Sequence, residues 1–198
     1  MKIIDSGMCG LLLIEPCQYV DERGFFLECF QTERYREAGI SETFIQDNLS
    51  RSYRGVLRGM HYQVERPQAQ IVTVVRGRIF DAVVDLRRES ETFGRWFGAE
   101  ISGETGDGLP RQIYMAPGFA HGFCVLTPVA DLHYKVSRHY DHGDEGGVLW
   151  CDPDIDISWP LDEPIVSSRD SAYPRLREIP ADRLPHDPPA EYWHVPER

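Results

Sequence analysis

Apolar residues along this chain come in short runs broken by glycine, proline and polar clusters, and within the runs apolar and polar positions alternate. Leu11 to Ile14 is the first run, stopped by Glu15-Pro16. Asp21-Glu22-Arg23-Gly24 has turn composition and precedes Phe25 to Phe30, a strong strand signal. Phe44 to Ser50 sets Phe44, Gln46, Asn48 and Ser50 on one side and Ile45, Asp47 and Leu49 on the other. After a polar connection from Arg51 to Gly55, Val56 to Gln63 reads as the next strand. Ile71 to Val75 and Ile79 to Leu86 follow, and Arg76-Gly77-Arg78 between them predicts a β-hairpin. Trp96 to Ile101, Gln112 to Met115, Gly122 to Leu126 and Asp131 to Val136 complete the series, punctuated by Pro117-Gly118 and Thr127-Pro128. One helix is predicted, capped by Thr32, running through Ala38 and ended by Gly39. No helices of about 10–15 residues separate the strands, which argues against a doubly wound parallel sheet. The pattern predicts an all-β protein, an antiparallel jelly-roll barrel with a few short helices.

From about Asp152 the chain turns rich in proline and aspartate, which predicts an ordered wrap over the barrel. Residues 1–181 are expected to form a single domain. The tail 182–198, with Pro185, Pro188, Pro189 and Pro196, is expected to be mobile or to pack on a partner. A formal charge of −11 excludes non-specific nucleic-acid binding, because phosphate backbones require a basic surface. A local arginine pocket for a phosphorylated small molecule stays compatible with it. The five cysteines are spread out and form no Cys-x-x-Cys pair, which favours free thiols in a reducing compartment. No stretch approaches the ~18 apolar residues of a membrane span. The expectation is a soluble cytoplasmic protein with no nucleic-acid or membrane partner.

Candidate chemistry starts at Arg58-Gly59-Met60-His61-Tyr62-Gln63. Strict alternation puts Arg58, Met60 and Tyr62 on one face and Gly59, His61 and Gln63 on the other, so Arg58 and His61 are expected to point apart. His61 suits a general base near neutral pH, or is simply a histidine bonded to backbone. Pro117-Gly118-Phe119-Ala120-His121 resembles a run found in metal-binding cupin barrels. Such a site also draws on a His-x-His pair and an acidic residue, and His61-Tyr62-Gln63 lacks one ligand. That is a poor metal set, and no metal is expected. Tyr134, beside Lys135, is either a general acid tuned by a nearby charge or a barrel tyrosine at the rim. Asp81 shares an apolar strand face with Ile79 and Val83 and needs a partner, a pocket cation or an arginine. Gln46 and Asn48 could bind a polyol, and Arg23, Arg58 and Arg169 could grip a diphosphate. Ser167-Ser168-Arg169-Asp170 supplies a late carboxylate able to fold back onto a histidine.

Taken together, these motifs resemble the dTDP-4-dehydrorhamnose 3,5-epimerase family. The matching segments run in order: Asp21 to Phe26, Gln46-Asp47-Asn48-x-Ser50, Arg58 to Gln63, Phe80-Asp81-x3-Asp85-Leu86-Arg87, Phe93-Gly94-x-Trp96, Pro117 to Phe123, Tyr134-Lys135 and Ser168-Arg169-Asp170. The resemblance implies a cupin-like jelly roll, a homodimer whose sites are each completed by the partner subunit, and a nucleotide-linked 4-keto-6-deoxy sugar as substrate with no cofactor. It implies that His61 removes the proton next to the ketone, that Asp170 orients His61, and that Tyr134 returns a proton from the opposite face. It assigns substrate contacts to Arg23, Phe26, Glu28, Gln46, Asn48, Arg58, His121, Tyr140, Glu145 and Arg169, with Tyr140 stacking on the base. The family usually carries a lysine in a Gln-Gly-Lys-Leu-Val segment, where the cation would stabilise the enolate oxygen. Here Gln68-Ala69-Gln70-Ile71-Val72 puts the neutral carboxamide of Gln70 in that place. Arg58 and Lys135 are the cations that could compensate. A single-carbon epimerase, or a non-catalytic sugar-nucleotide binding module, are the alternative readings.

Overall fold

The computed structural model describes residues 1–186. In chain order the strands are β1 (Lys2–Asp5), β2 (Leu11–Glu15), β3 (Gln18–Asp21), β4 (Gly24–Leu27), β5 (Gln46–Tyr53), β6 (Val56–Gln63) and β7 (Gln70–Arg76). They continue with β8 (Arg78–Asp85), β9 (Trp96–Ser102), β10 (Gln112–Met115), β11 (Phe119–Val125), β12 (Val129–Val136), β13 (Glu145–Gly147) and β14 (Ile165–Val166). One α-helix, α1 (Thr32–Glu37), lies between β4 and β5. The first sheet has the order β1-β2-β10-β7-β12-β5, the second β13-β6-β11-β8-β9, with β14 added in parallel beside β6. This is the jelly roll expected, built as two facing open sheets.

From β5 to β12 every link except β8–β9 carries the chain from one sheet to the other. The hairpin predicted at Arg76-Gly77-Arg78 is therefore wrong: β7 and β8 belong to opposite sheets. Gly77 has φ +79°, and a Cβ there would lie 2.1 Å from the Val129 carbonyl oxygen, so this crossing tolerates only glycine. Two further expectations shift. The cap of α1 is Gln31, whose side chain accepts the Arg34 amide at 2.7 Å, and Thr32 is the first helical residue. The strand expected over Phe25 to Phe30 stops at Leu27 and, among the described residues, pairs only with β3.

Two apolar cores follow from this layering. The first joins the facing sides of the sheets and continues under α1, with Leu11, Val72, Val74, Ile113 and Leu132 among its buried members and Tyr35 contributed by the helix. The second lies on the outer side of the second sheet, where Met60, Tyr62, Val84 and Ala120 are covered by Ile155, Ile157, Trp159, Leu176 and Ile179. The Pro- and Asp-rich segment is thus an ordered wrap, as expected. It is tied down by Asp152, which accepts the Asp154 amide at 2.9 Å and the Leu176 amide at 2.7 Å. The wrap returns to β6 and the residue that follows it: the Tyr62 hydroxyl donates to the Arg183 carbonyl, and the His186 amide donates to the Val64 carbonyl. The rest of the expected tail, 187–198, lies outside the described residues.

Candidate active site

Between the sheets lies a cavity of about 310 Å³. Its walls bring together Asn48 and Ser50 from β5, Arg58 and His61 from β6, Gln70 from β7, His121 and Phe123 from β11, and Tyr134 from β12. Glu145 at the start of β13, and Tyr140 and Arg169 from the connections beyond, also line it.

Arg58 and His61 share this cavity, contrary to the alternation expected for a regular strand. In the β6–β11 ladder His121 stands opposite His61 and Phe123 opposite Arg58, so three steps along β6 match two along β11. The extra residue is a β-bulge, which returns both side chains to one face. Gly59, at φ +133°, makes it possible: a Cβ there would sit 2.5 Å from the Gly122 Cα, inside the neighbouring strand.

Asp170, at the start of a short 3-10 turn in the wrap, reaches His61 from behind the bulge. Its Oδ1 lies 3.0 Å from His61 Nε2, and its Oδ2 accepts the Gly59 amide at 3.1 Å. Burial would raise this carboxyl, but bonds from His61, the Gly59 amide and Ser167 outweigh it and hold Asp170 well below the usual carboxylate range. A charged carboxylate at Nε2 selects the tautomer that carries its proton there, leaving Nδ1 as the basic nitrogen. Arg169 Nη2 also lies 3.3 Å from His61 Nε2. Two donors cannot bond each other, so Arg169 acts instead on Asp170 Oδ1, at 3.3 Å, and on Glu145 Oε2, at 2.8 Å.

Tyr134 enters from the opposite sheet. Burial pushes its phenol up to about 12, with the Asp81 charge adding to the rise while Ser50 and Arg58 oppose it. The phenol therefore keeps its proton at neutral pH, the state a proton donor needs. Asp81 is fully buried and its Oδ2 meets His121 Nε2 at 2.8 Å, so the partner it needs is a cavity-lining imidazole and not an arginine. Burial raises the Asp81 carboxyl and His121 opposes the rise. Among the described residues no group of three His, Cys, Asp or Glu side chains is arranged to hold a metal ion.

Comparison with known proteins places this geometry. A profile of the dTDP-4-dehydrorhamnose 3,5-epimerase family matches residues 5–178. The chain belongs to that family. It is 43% identical over 182 residues to the dTDP-4-dehydrorhamnose 3,5-epimerase of Methanothermobacter thermautotrophicus, covering 90% of this chain and 96% of the relative. A dTDP-4-dehydrorhamnose 3-epimerase of Streptomyces niveus is 42% identical over 86% of this chain and 81% of its own. The structure of dTDP-6-deoxy-D-glucose-3,5-epimerase from Legionella pneumophila, solved with dTDP-4-keto-L-rhamnose, superposes with a TM-score of 0.88 at 45% identity, over 93% of this chain and 97% of that one. Membership makes the chain an epimerase, an isomerase of sugar nucleotides, as the resemblance implied.

In this epimerase the remaining candidates divide by position. Gln70 does line the cavity, so the neutral carboxamide stands where the sequence placed it. Lys135 cannot compensate: its Nζ bonds Asp47 at 2.7 Å and packs over the Phe30 ring, on the far side of β12 from the cavity. Arg58 does line it, anchored through Nε to Ser52 Oγ at 2.9 Å. Gln46 does not line it; its side chain donates to Asn48 and accepts the Tyr140 amide, fixing both. The Tyr140 hydroxyl donates to Glu145 Oε2 at 2.8 Å, leaving the ring half exposed at the rim. Arg23, Phe26 and Glu28 are absent from the cavity. Arg23 pairs with Asp21, Glu28 with Arg34, and Phe26 is 68% exposed on the β3–β4 hairpin. Sequence reasoning missed Ser50, Gln63, Gln68 and Phe123 as lining residues and Tyr173, whose ring meets His61 edge-on at 5.8 Å. Ser50 was within reach of it, since it shares the alternating face of Gln46 and Asn48.

Proposed function

We propose that this epimerase inverts both C3 and C5 of a dTDP-linked 4-keto-6-deoxy sugar by proton removal and return, without a cofactor. The observation that carries the reading is the approach of a base and an acid from opposite sheets: His61 on β6, backed by Asp170, and Tyr134 on β12. Inversion needs two groups on opposite faces of the carbon, because a single base tends to restore the original centre. The 4-ketone acidifies the neighbouring C–H bonds. His61 Nδ1 takes the proton and the resulting imidazolium is stabilised by the Asp170 carboxylate. Charge then develops on the ketone oxygen, for which Arg58 and Gln70 are the available donors. Tyr134 delivers its proton to the other face and the ketone re-forms.

Arg169 would hold the diphosphate while Arg58 faces the sugar, with Tyr140 stacked on the base and Asn48, His121 and Glu145 on sugar and nucleotide. Arg23, Phe26 and Glu28 would complete the site of a second copy in a homodimer. All five cysteines are free thiols, and among the described residues no helix is long and apolar enough to cross a membrane; the enzyme would work in the cytoplasm. A second reading, inversion at one carbon only, is favoured by the uncharged Gln70. Both readings meet one experiment: incubation with dTDP-4-keto-6-deoxyglucose in D2O, followed by NMR. Deuterium at C3 and C5 with inversion supports the first and deuterium at one carbon the second. No exchange with dTDP, GDP or CDP substrates would overturn both. His61→Ala is expected to abolish exchange at every position.

A further inference from the structure

A proton donor that has given up its proton is an anion, and the groups around that anion govern how readily it gives. Among the described residues the hydroxyl of Tyr134 has one hydrogen-bond partner, Ser50 Oγ at 3.0 Å. In the β5–β12 ladder Ser50 stands opposite Leu132 and Asn48 opposite Tyr134, so Ser50 reaches the phenol along the diagonal of one face. Both side chains line the cavity. Burial and the Asp81 charge work against a phenolate, the Ser50 bond and the Arg58 charge work for it, and the phenol rests at about 12.

We propose that Ser50 is the positioning residue for Tyr134: its hydroxyl aims the phenol at the substrate carbon and donates a hydrogen bond to the phenolate formed there. In that step the Tyr134 O–H bond breaks and the enolate's electron pair takes the proton into a new C–H bond. The ketone re-forms and the negative charge passes to the phenolate. Solvent water then returns a proton to Tyr134, and the His61 imidazolium gives up the proton it took from the sugar to the hydroxide left behind. This inference rests on the epimerase reading above.

Removing the Ser50 hydroxyl weakens the Tyr134 half-reaction selectively. His61 still removes protons and can return solvent deuterons on its own face, which gives exchange without inversion. The experiment compares wild type, Ser50→Ala and Ser50→Thr on dTDP-4-keto-6-deoxyglucose in D2O. NMR measures deuterium in the uninverted sugar against deuterium in the inverted product. Ser50→Ala is expected to lower the ratio of inversion to exchange about tenfold, the scale of a lost hydrogen bond to a charged oxygen. Ser50→Thr keeps a hydroxyl and is expected to restore the ratio. A partly unfolded sample lowers both quantities together, so the ratio does not report misfolding. A wild-type ratio in Ser50→Ala, or no recovery in Ser50→Thr, overturns the proposal. Wild type that neither exchanges nor inverts overturns the epimerase reading itself.

Discussion

Asp170 accepts from both the His61 ring and the Gly59 amide, so one carboxylate serves the base and the bulge that presents it. Its carboxyl is lower in the folded protein than in the unfolded chain. The stabilisation is therefore present above the unfolded value, about pH 4, and is lost as pH falls through the folded one. Asp170→Asn is expected to lower Tm by about 4–8 °C at pH 6–8, the equivalent of about 2 kcal/mol. The gap from wild type should narrow below about pH 4, and a gap independent of pH would show that charge plays no part. Exchange should fall about 10²-fold in the same variant. Gln70 is the second residue where charge decides. Gln70→Lys is expected to raise the deuterium exchange rate if the enolate is short of a cation, measured at fixed substrate; a fall would mean that the carboxamide is fitted to this substrate. At this scale the motifs made His61, Tyr134, Asp170 and Gln70 legible in the sequence. The Asp81–His121 pair was not, because nothing in one strand records which residue of the next faces it.

At the scale of elements, strand positions were readable from alternation and turn composition, while strand partners were not. A Gly between two β-branched runs looks the same whether the chain doubles back or crosses to the other sheet, which is how Gly77 misled. The β6 bulge was equally hidden, since period-two counting has no room for an added residue. Gly59 is the residue that testifies to it, and Gly59→Ala is the test. Its Cβ would collide with the Gly122 backbone, so β6 and β11 must separate. The expected cost is about 1–3 kcal/mol, comparable to overpacking a core. Activity should fall further than the folded fraction does, because straightening β6 turns Arg58 away from His61. Circular dichroism at the assay temperature beside the exchange rate separates the two effects; equal losses would leave the bulge a purely structural feature.

At the scale of the molecule, Arg23, Phe26 and Glu28 lie apart from the cavity, the first two on the β3–β4 hairpin and Glu28 just after it, and among the described residues that hairpin pairs with no other strand. A two-stranded hairpin alone is marginal in water, yet this one exposes Tyr19, Val20, Phe25 and Phe26. Apolar exposure on a hairpin that also carries Arg23 fits a segment meant to lie across a second copy of the chain. Two inactive variants can decide it. In a homodimer, co-expressed chains carrying Arg23→Ala or His61→Ala under different tags would pair at random, and half of the dimers would be mixed. If each site takes Arg23 from one chain and His61 from the other, a mixed dimer holds one doubly altered site and one intact site. About a quarter of wild-type inversion should then return from a mixture whose components have almost none. If each chain builds its own site, every site in the mixture carries one lesion and no activity returns, and Arg23 must reach the substrate within its own subunit or not at all.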